Sequence, residues 1–256
     1  MTENKFPTEI IDLPSQGHFY PEDNPLSSGK VEMKYMTARE EDILTSVNLI
    51  KQGKALDKLL EALIVDKKID YNTLLVGDKN ALLVGARILA YGKNYDFTFV
   101  DSYGETLQRK ADLTDLKEKE LDISKFEKGV NLFSYKLPKT KRMLTYSIPT
   151  HLDEINTEAE IEALRKVYNK EDSVDKSSST RLKYLIKSVD GKTDRKSINN
   201  FVDNEFLSVD SLEFRGFVMS RTPDIDFTIT VENSRDEREQ VAVPMTADFF
   251  WPNPRV

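Results

Sequence analysis

The chain of 256 residues contains two histidines and no cysteine, which leaves few side chains for metal binding or nucleophilic catalysis. His18 lies in a proline-rich stretch and His151 at a predicted helix start, so we expect both on the surface without ligand-like neighbours. A zinc site needs three or four convergent ligands, and a serine or cysteine nucleophile needs a base beside it. The ten glycines are scattered and form no phosphate-binding pattern. No catalytic residue, metal site or cofactor is therefore predicted.

Adjacent carboxylates are the remaining candidates for chemistry. The pairs Glu40-Glu41 and Asp153-Glu154 both follow a predicted helix start. Negative charge stabilises the positive end of a helix dipole, and this role is commoner than acid–base catalysis. We therefore interpret the chain as non-enzymatic, while a hydrolase that uses carboxylates stays open as a remote alternative.

The net charge of −7 limits the classes of partner that this chain can bind. A negative surface repels nucleic acid and anionic lipid. The short basic cluster Lys139, Lys141 and Arg142 is interpreted as a solvated turn or as part of salt bridges to a partner. No apolar run approaches the roughly 20 residues of a membrane-spanning helix, and the first residues lack a signal-peptide core. We therefore expect a soluble intracellular protein that binds neither nucleic acid nor a membrane.

The first half of the chain begins with prolines and continues with helical patterns. Four prolines between residues 7 and 25 predict an extended N-terminal arm over residues 1–29. Alternating apolar and polar residues predict a strand over 30–36, and Thr37 with Glu40 matches a capping box, which marks a helix start. The remaining predicted elements are a helix with an apolar stripe over 56–64, a buried helix over 79–91 capped by Asp78, and a strand–turn–strand unit over 95–112.

The second half shows the same kinds of pattern after a charged connector. Two runs, 132–137 and 143–148, predict a hairpin, and helix 151–168 is predicted to turn Leu152, Ile155 and Ile161 inward. Residues 170–180 are predicted to form a flexible loop. The remaining predicted elements are a helical stripe from Leu182 to Val189, a helix opened by Asp210 and Glu213, and a hairpin over 225–245.

The order of these patterns indicates an internal repeat, which would determine the whole architecture. We therefore predict a helix-rich α+β fold with two similar lobes from an internal duplication, each with a strand, helices and a terminal β-hairpin. The predicted segments are the extended arm (1–29), the first lobe (30–113), a charged connector (114–130) and the second lobe with an aromatic C-terminal tail (131–256). The repeated residues are Val31, Met33, Tyr35 and Thr37 with Leu144, Tyr146, Ile148 and Thr150; Leu60, Leu63 and Ile64 with Leu182, Leu185 and Ile186; Gly85 with Gly216; and Asp96-Phe97-Thr98 with Asp226-Phe227-Thr228.

Two apolar groups are candidates for binding a partner protein. Apolar anchors in an extended arm can become ordered on a partner, and large aromatic residues dominate protein interfaces. The alternative for the arm is that it lies on its own domain, and the alternative for the tail is that it closes the core of the second lobe. If the arm contacts partners, removal of residues 1–28 should leave the fold intact. The candidate residues are Leu13, Pro14, Phe19, Tyr20 and Pro21 in the arm, and Phe249, Phe250 and Trp251 in the tail.

Four segments carry a family resemblance. They are Leu13-Pro14-Ser15-x-Gly17-x-Phe19-Tyr20-Pro21, the run from Met36 to Thr45, the run Leu75-Val76-Gly77-Asp78-Lys79-Asn80-Ala81, and Asp248-Phe249-Phe250-Trp251-Pro252. In these segments the chain resembles the T-even-type bacteriophage baseplate hub assembly proteins. The resemblance implies a protein that helps build the central hub of a contractile tail's baseplate, without catalytic residues or cofactors.

The resemblance leaves three functions open. The first is an assembly chaperone that binds hub subunits in the host cytoplasm during infection, and the second is a structural hub component retained in the virion tail. The third and most remote is a carboxylate-dependent cell-wall hydrolase, since baseplates can carry such enzymes. Other baseplate hub proteins are the expected partners, whereas the subunit bound and the oligomeric state are not predicted.

Overall fold

A computed structural model describes residues 7–167, 175–245 and 247–250. Within these residues, helices alternate with short strands that form four two-stranded sheets and one three-stranded sheet. Such small sheets are not stable alone and must pack against helices. The predicted α+β class is confirmed.

The first half places two antiparallel strand pairs around four helices. The first strand pair encloses the loop that begins with Leu13, and the second follows the longest helix of this half. The elements are β1 (Thr8–Asp12), β2 (Lys30–Lys34), α1 (Ala38–Thr45), α2 (Val47–Lys51), α3 (Ala55–Leu63), α4 (Val76–Tyr91), β3 (Asn94–Val100), β4 (Thr106–Asp112) and the short β5 (Lys117–Glu118).

The second half contains the three-stranded sheet β6-β7-β8 and ends in a hairpin and a short helix. A π-helical turn (Phe201–Glu205) lies between two of its helices. The elements are β6 (Phe133–Lys136), β7 (Met143–Tyr146), α5 (His151–Val167), α6 (Ser177–Leu185), β8 (Ile186–Val189), α7 (Arg195–Asn200), α8 (Ser208–Met219), β9 (Ile225–Asp226), β10 (Thr228–Glu232), β11 (Arg238–Ala242) and α9 (Ala247–Phe250).

The capping box at the start of α1 is confirmed. The backbone N–H of Thr37 donates to Oε2 of Glu40 at 3.0 Å, and the Thr37 side chain bonds to the same helix end. Burial alone would raise the pKa of Glu40, but hydrogen bonds from Lys34 and Thr37 outweigh it and hold the pKa at about 2. Glu40 therefore stays ionised at the positive end of the helix dipole.

The two halves repeat several contacts as well as the order of their elements. Met33 forms a bridge with Ile64 after α3, and Tyr146 pairs with Ile186 after α6. Asp78 and Asp210 are both buried at the third position of their helices, α4 and α8. Each carboxylate accepts hydrogen bonds from a loop that starts with Leu-Pro: from Ser15 after Leu13-Pro14, and from Lys139 and Thr140 after Leu137-Pro138. These parallels agree with the predicted repeat, while the duplication itself stays a prediction.

The core consists of two apolar clusters that do not follow the predicted lobes strictly. The larger cluster holds the first half together and also contains Ile148, Val243, Phe249 and Phe250 from the second half. The smaller cluster lies between the three-stranded sheet and the helices α6, α7 and α8. Phe249 and Phe250 of the aromatic tail thus pack in the larger cluster, so the alternative that the tail closes the core of the second lobe is wrong for these two residues.

The predicted charged connector also contributes to tertiary structure. Its strand β5 pairs with β9, and its Phe126 ring contacts the Phe19 ring edge-on, with ring centroids 5.2 Å apart. This segment joins the arm to the second half. The domain boundaries proposed from the sequence stay a prediction.

Several local predictions need correction. The helix predicted at 79–91 begins at Val76, so Asp78 lies inside its first turn and is not the cap. The helix predicted through Val189 ends at Leu185, where the chain continues as β8. Part of the loop predicted at 170–180 is helical, since α6 begins at Ser177, and residues 168–174 lie outside the described part. In the first two cases tertiary hydrogen bonds override the local pattern: Val76 bonds to Pro149, and β8 pairs with β7.

The first turn of α4 packs directly on another backbone segment, which yields a prediction for Gly77→Ala. A Cβ atom at Gly77 would lie 1.9 Å from the carbonyl oxygen of Pro223, and backbone cannot yield as a flexible side chain does. We expect Gly77→Ala to lower the free energy of unfolding by about 1–3 kcal/mol, as overpacking does. The measurement is urea unfolding, with Gly216→Ala in α8 as the matched control because nothing lies within 4 Å of that position. Equal stability of Gly77→Ala and wild type would contradict the packing.

Candidate partner-binding surfaces

The structure places most of the predicted arm contacts in the interior. Leu13, Pro14, Phe19 and Tyr20 are buried, and Leu13, Phe19 and Tyr20 belong to the larger core cluster. Pro21 is exposed. A side chain buried in the core cannot touch a partner unless the core opens, so four of these five residues act in the fold as described. The arm is therefore part of the folded body, and we expect removal of residues 1–28 to unfold it.

The Asp78 carboxylate holds the arm against α4 through hydrogen bonds. Its carboxylate accepts hydrogen bonds from the Ser15 backbone N–H at 2.9 Å, the Ser15 hydroxyl at 2.7 Å and the Tyr20 hydroxyl at 2.6 Å. Tyr20 in turn accepts from the backbone N–H of Leu75 at 2.9 Å. Burial raises the pKa of Asp78, and burial together with Asp78 raises the pKa of Tyr20, so the phenol remains a donor. Two of the segments that carry the family resemblance therefore meet here.

The loop geometry accounts for the glycine of the arm segment. Gly17 has a φ of 73°, in the left-handed region that favours glycine. A Cβ atom there would lie 2.4 Å from the carbonyl oxygen of Ser27. The backbone N–H of Gly17 also donates to the Ser15 hydroxyl at 3.1 Å. Gly17 thus allows the tight loop that directs both Ser15 and Tyr20 towards Asp78.

The aromatic tail is also interior where it is described. The rings of Phe249 and Phe250 are buried, and Phe249 contacts Tyr95 with ring centroids 5.0 Å apart. The Arg87 guanidinium lies 5.9 Å from the centre of the Phe249 ring. Trp251 lies outside the described residues. Phe249 and Phe250 therefore hold the chain end against α4 and β3.

A group of ionisable residues that the sequence analysis missed lies between the two halves. We call this group, which consists of Asp57, Tyr71, Lys79, His151 and Glu154, the seam cluster. Lys79 forms ion pairs with Glu154 and with Asp57, the latter at 3.9 Å. Tyr71 donates to Asp57 at 3.1 Å, and its ring contacts the His151 ring with centroids 4.5 Å apart. The cluster joins α3 and α4 of the first half to α5 of the second.

His151 is buried, so the expectation of a surface histidine is wrong. Its Nδ1 lies 3.4 Å from Oε2 of Glu154, and its Nε2 lies 3.8 Å from Oδ2 of Asp57. The signal available in the sequence was Lys79, a cation inside the most apolar helix, which required a buried partner. Only the fold shows that α5 supplies it.

The electrostatics of the seam cluster favour the ionised carboxylate. Burial alone would raise the pKa of Glu154, but the hydrogen bond with His151 and the charge of Lys79 outweigh it and hold the pKa at about 2. Burial and the nearby Asp57 raise the pKa of Tyr71 far above its ordinary value. The cluster is therefore a set of satisfied charges, suited to fixing the two halves in one arrangement.

Neither a metal centre nor a membrane-spanning helix is found in the described part of the chain. Among its His, Asp and Glu side chains, no group of three or more could hold a metal ion. None of the described helices is both long and apolar enough to cross a membrane.

A cleft of about 540 Å³ opens beside the seam cluster. Its apolar lining residues come from α4, α6 and the segment before α5, and charged side chains also line it. Its lining includes Val76, Pro149, Leu182, Leu185, Glu158 and Arg215. Since Glu158 pairs with Arg181 across the cleft at 2.9 Å, its charges are partly neutralised by one another.

The outer face of α5 carries exposed apolar side chains. Leu152 and Ile155 were predicted to point inward, but they are 48% and 43% exposed, so that prediction is wrong. They share one face of the helix with Ala159, Ala163 and Val167, which are also exposed. We call these five residues the α5 outer face. The opposite face buries Ile161 against the body, as predicted. Apolar residues on both faces of one helix are typical of a helix that contacts a partner.

The hydrogen bonds of Tyr20 yield a stability prediction. Tyr20→Phe removes a donor to Asp78 and an acceptor for Leu75, both buried, while it keeps the ring. We expect a loss of about 1–3 kcal/mol in the free energy of unfolding, because a buried polar group is left unsatisfied. Tyr35→Phe is the matched control, since its hydroxyl bonds to Glu9 at the exposed surface. Equal effects in the two variants, measured by urea unfolding, would show that the Asp78 contacts do not hold the arm.

The lowered pKa of Glu154 yields a pH prediction. A carboxylate whose pKa is lowered by folding adds stability that is present above its unfolded pKa of 4.5 and is lost as the pH falls towards about 2. We expect Glu154→Gln to be less stable than wild type at neutral pH, with the difference shrinking below pH 4.5. Urea unfolding between about pH 7 and about pH 3 measures this difference. Glu158→Gln, in an exposed ion pair, is the control; a difference that stays constant with pH would contradict the role of Glu154.

Comparison with known proteins places the chain in a family. A family model described as T4 bacteriophage base plate protein matches residues 8–251, which include most of the arm, the seam cluster and the α5 outer face. No curated protein and no solved structure matches the chain. The match covers base plate proteins in general and does not distinguish the hub assembly subgroup that the sequence resembles. Because the match spans both halves, the chain belongs to the family of T4 bacteriophage base plate proteins.

Proposed function

We propose that this chain is a non-enzymatic protein that assists assembly of the central baseplate hub by binding hub subunits in the host cytoplasm. Membership of the family gives it a structural or assembly role in the baseplate, and hence contacts with other baseplate proteins. The observation that carries the finer proposal is the α5 outer face, on which Leu152 and Ile155 are 48% and 43% exposed.

The internal chemistry supports a scaffold without a reactive centre. Catalytic carboxylates need access to substrate and a pKa matched to proton transfer. Asp78 and Asp210 are buried and accept hydrogen bonds from loops, and Glu154 is held ionised by Lys79 and His151. These carboxylates hold segments of the fold together. They therefore give no support to a cell-wall hydrolase.

Binding through the α5 outer face can be tested with surface variants. We expect the double variant Leu152→Ala, Ile155→Ala to bind purified hub subunits of the same phage at least about tenfold more weakly, because apolar interface anchors dominate affinity. Both side chains are about half exposed, so the unfolding temperature should fall by only a few degrees. Val100→Ala, an exposed apolar residue in β3, is the matched control. Unchanged affinity of the double variant for every subunit would remove α5 from the interface.

The proposal of transient assembly has one specific rival, a structural component retained in the tail. The family match supports both roles equally. Quantitative mass spectrometry of purified virions distinguishes them. A transient assembly factor should be absent from finished particles, whereas recovery at a fixed copy number would establish the structural role instead.

A further inference from the structure

The outer face of α8 is a second apolar helix surface with unusual exposure. Val209, Leu212 and Met219 are 51%, 64% and 69% exposed. Their spacing places them with the exposed Gly216 along one face of the helix. We call these four residues the α8 outer face. The opposite face buries Phe214 and Val218 in the smaller core cluster.

Gly216 has no explanation within the described chain. Glycine weakens a helix interior relative to alanine, so it usually marks a place where another group approaches closely. The two glycines inside α4 follow this rule: a Cβ atom at Gly77 would meet the Pro223 carbonyl oxygen at 1.9 Å, and one at Gly85 would meet Ile11 at 2.8 Å. At Gly216 nothing described lies within 4 Å.

The first half shows what covers the corresponding face of α4. Aligning the two helices on their buried aspartates, Asp78 and Asp210, places Val209 at the position of Gly77 and Leu212 at that of Asn80. In α4 these two positions contact an extended segment, in which the Pro223 backbone lies over Gly77 and Asp224 accepts a hydrogen bond from Asn80 at 2.9 Å. The same face of α8 has no such cover among the described residues.

We propose that the α8 outer face binds an extended segment of another baseplate protein, with the backbone of that segment against Gly216 and an acidic side chain on Arg215. Arg215 flanks the face, and its Nε donates to the Ser211 carbonyl at 3.3 Å, while no carboxylate pairs with it in the described part of the chain. An acidic residue would pair with the charge of Arg215. The net charge of −7 opposes a second copy of this chain as the occupant. This inference rests on the proposed function.

The test uses overlapping synthetic peptides that cover the other baseplate proteins of the same phage. We expect at least one peptide with an acidic residue to bind the full chain, and Leu212→Ala to weaken that binding at least about tenfold. Val100→Ala is again the matched control, because its side chain is also 64% exposed but lies on a β-strand. Absence of any bound peptide, or equal binding by Leu212→Ala and wild type, would overturn the proposal.

Gly216→Ala should change stability and peptide binding in opposite directions. The variant should raise the unfolding temperature by a few degrees, because alanine favours the helix, and should weaken the same peptides, because its methyl group obstructs the backbone. A lowered unfolding temperature would show that another segment of this chain covers the face. A dimer of wild type in sedimentation that is lost in Leu212→Ala would identify a second copy as the occupant. Either result overturns the proposal.

Binding of intact hub subunits separates this inference from the proposed function. If the subunits bind Leu212→Ala and wild type equally, this inference fails while the proposed function survives. If no subunit binds wild type, the proposed function fails.

Discussion

The fold depends on one constraint, the buried carboxylate of Asp78 in the first turn of α4. A buried carboxylate is costly unless hydrogen bonds satisfy it, and here its donors among the described residues come from a loop more than fifty residues earlier in the chain. The neighbouring residues of the same turn reach other segments: Gly77 meets the Pro223 backbone, Lys79 meets Glu154, and Asn80 meets Asp224. One helical turn thus joins the arm, α5 and the start of the terminal hairpin.

In this arrangement the arm and the described part of the tail stabilise the fold. Contacts with a partner are therefore expected on the helices instead. The apolar anchors of the arm lie in the larger core cluster with Phe249 and Phe250. The exposed apolar side chains of the described residues include those on the outer sides of α5 and of α8. A rigid body that keeps its internal charges satisfied and presents apolar helix faces is suited to holding other proteins, since little ordering is required when it binds.

The helices α4 and α8 begin alike but differ in how other segments of the chain cover them. Both helices begin in the same way, with a buried aspartate at the third position that accepts from a Leu-Pro loop. The first half is covered by segments of the second, since Pro223, Asp224 and the tail all pack on α4 or beside it. No described segment covers the corresponding face of α8 in this way.

Periodicity and capping patterns were sufficient to predict the α+β class, the capping box at Thr37, both terminal hairpins and most helix positions, because these depend on contacts between residues close in sequence. The same local reasoning placed His151 on the surface and Leu152 and Ile155 inside, and both assignments were wrong. Whether an apolar or ionisable side chain is buried depends on which distant segment packs against it: α3 and α4 cover His151, and no described segment covers Leu152. The partners of Asp78 and Lys79 are likewise far away in sequence, so only tertiary packing could show that the segments carrying the resemblance form the centre of the fold.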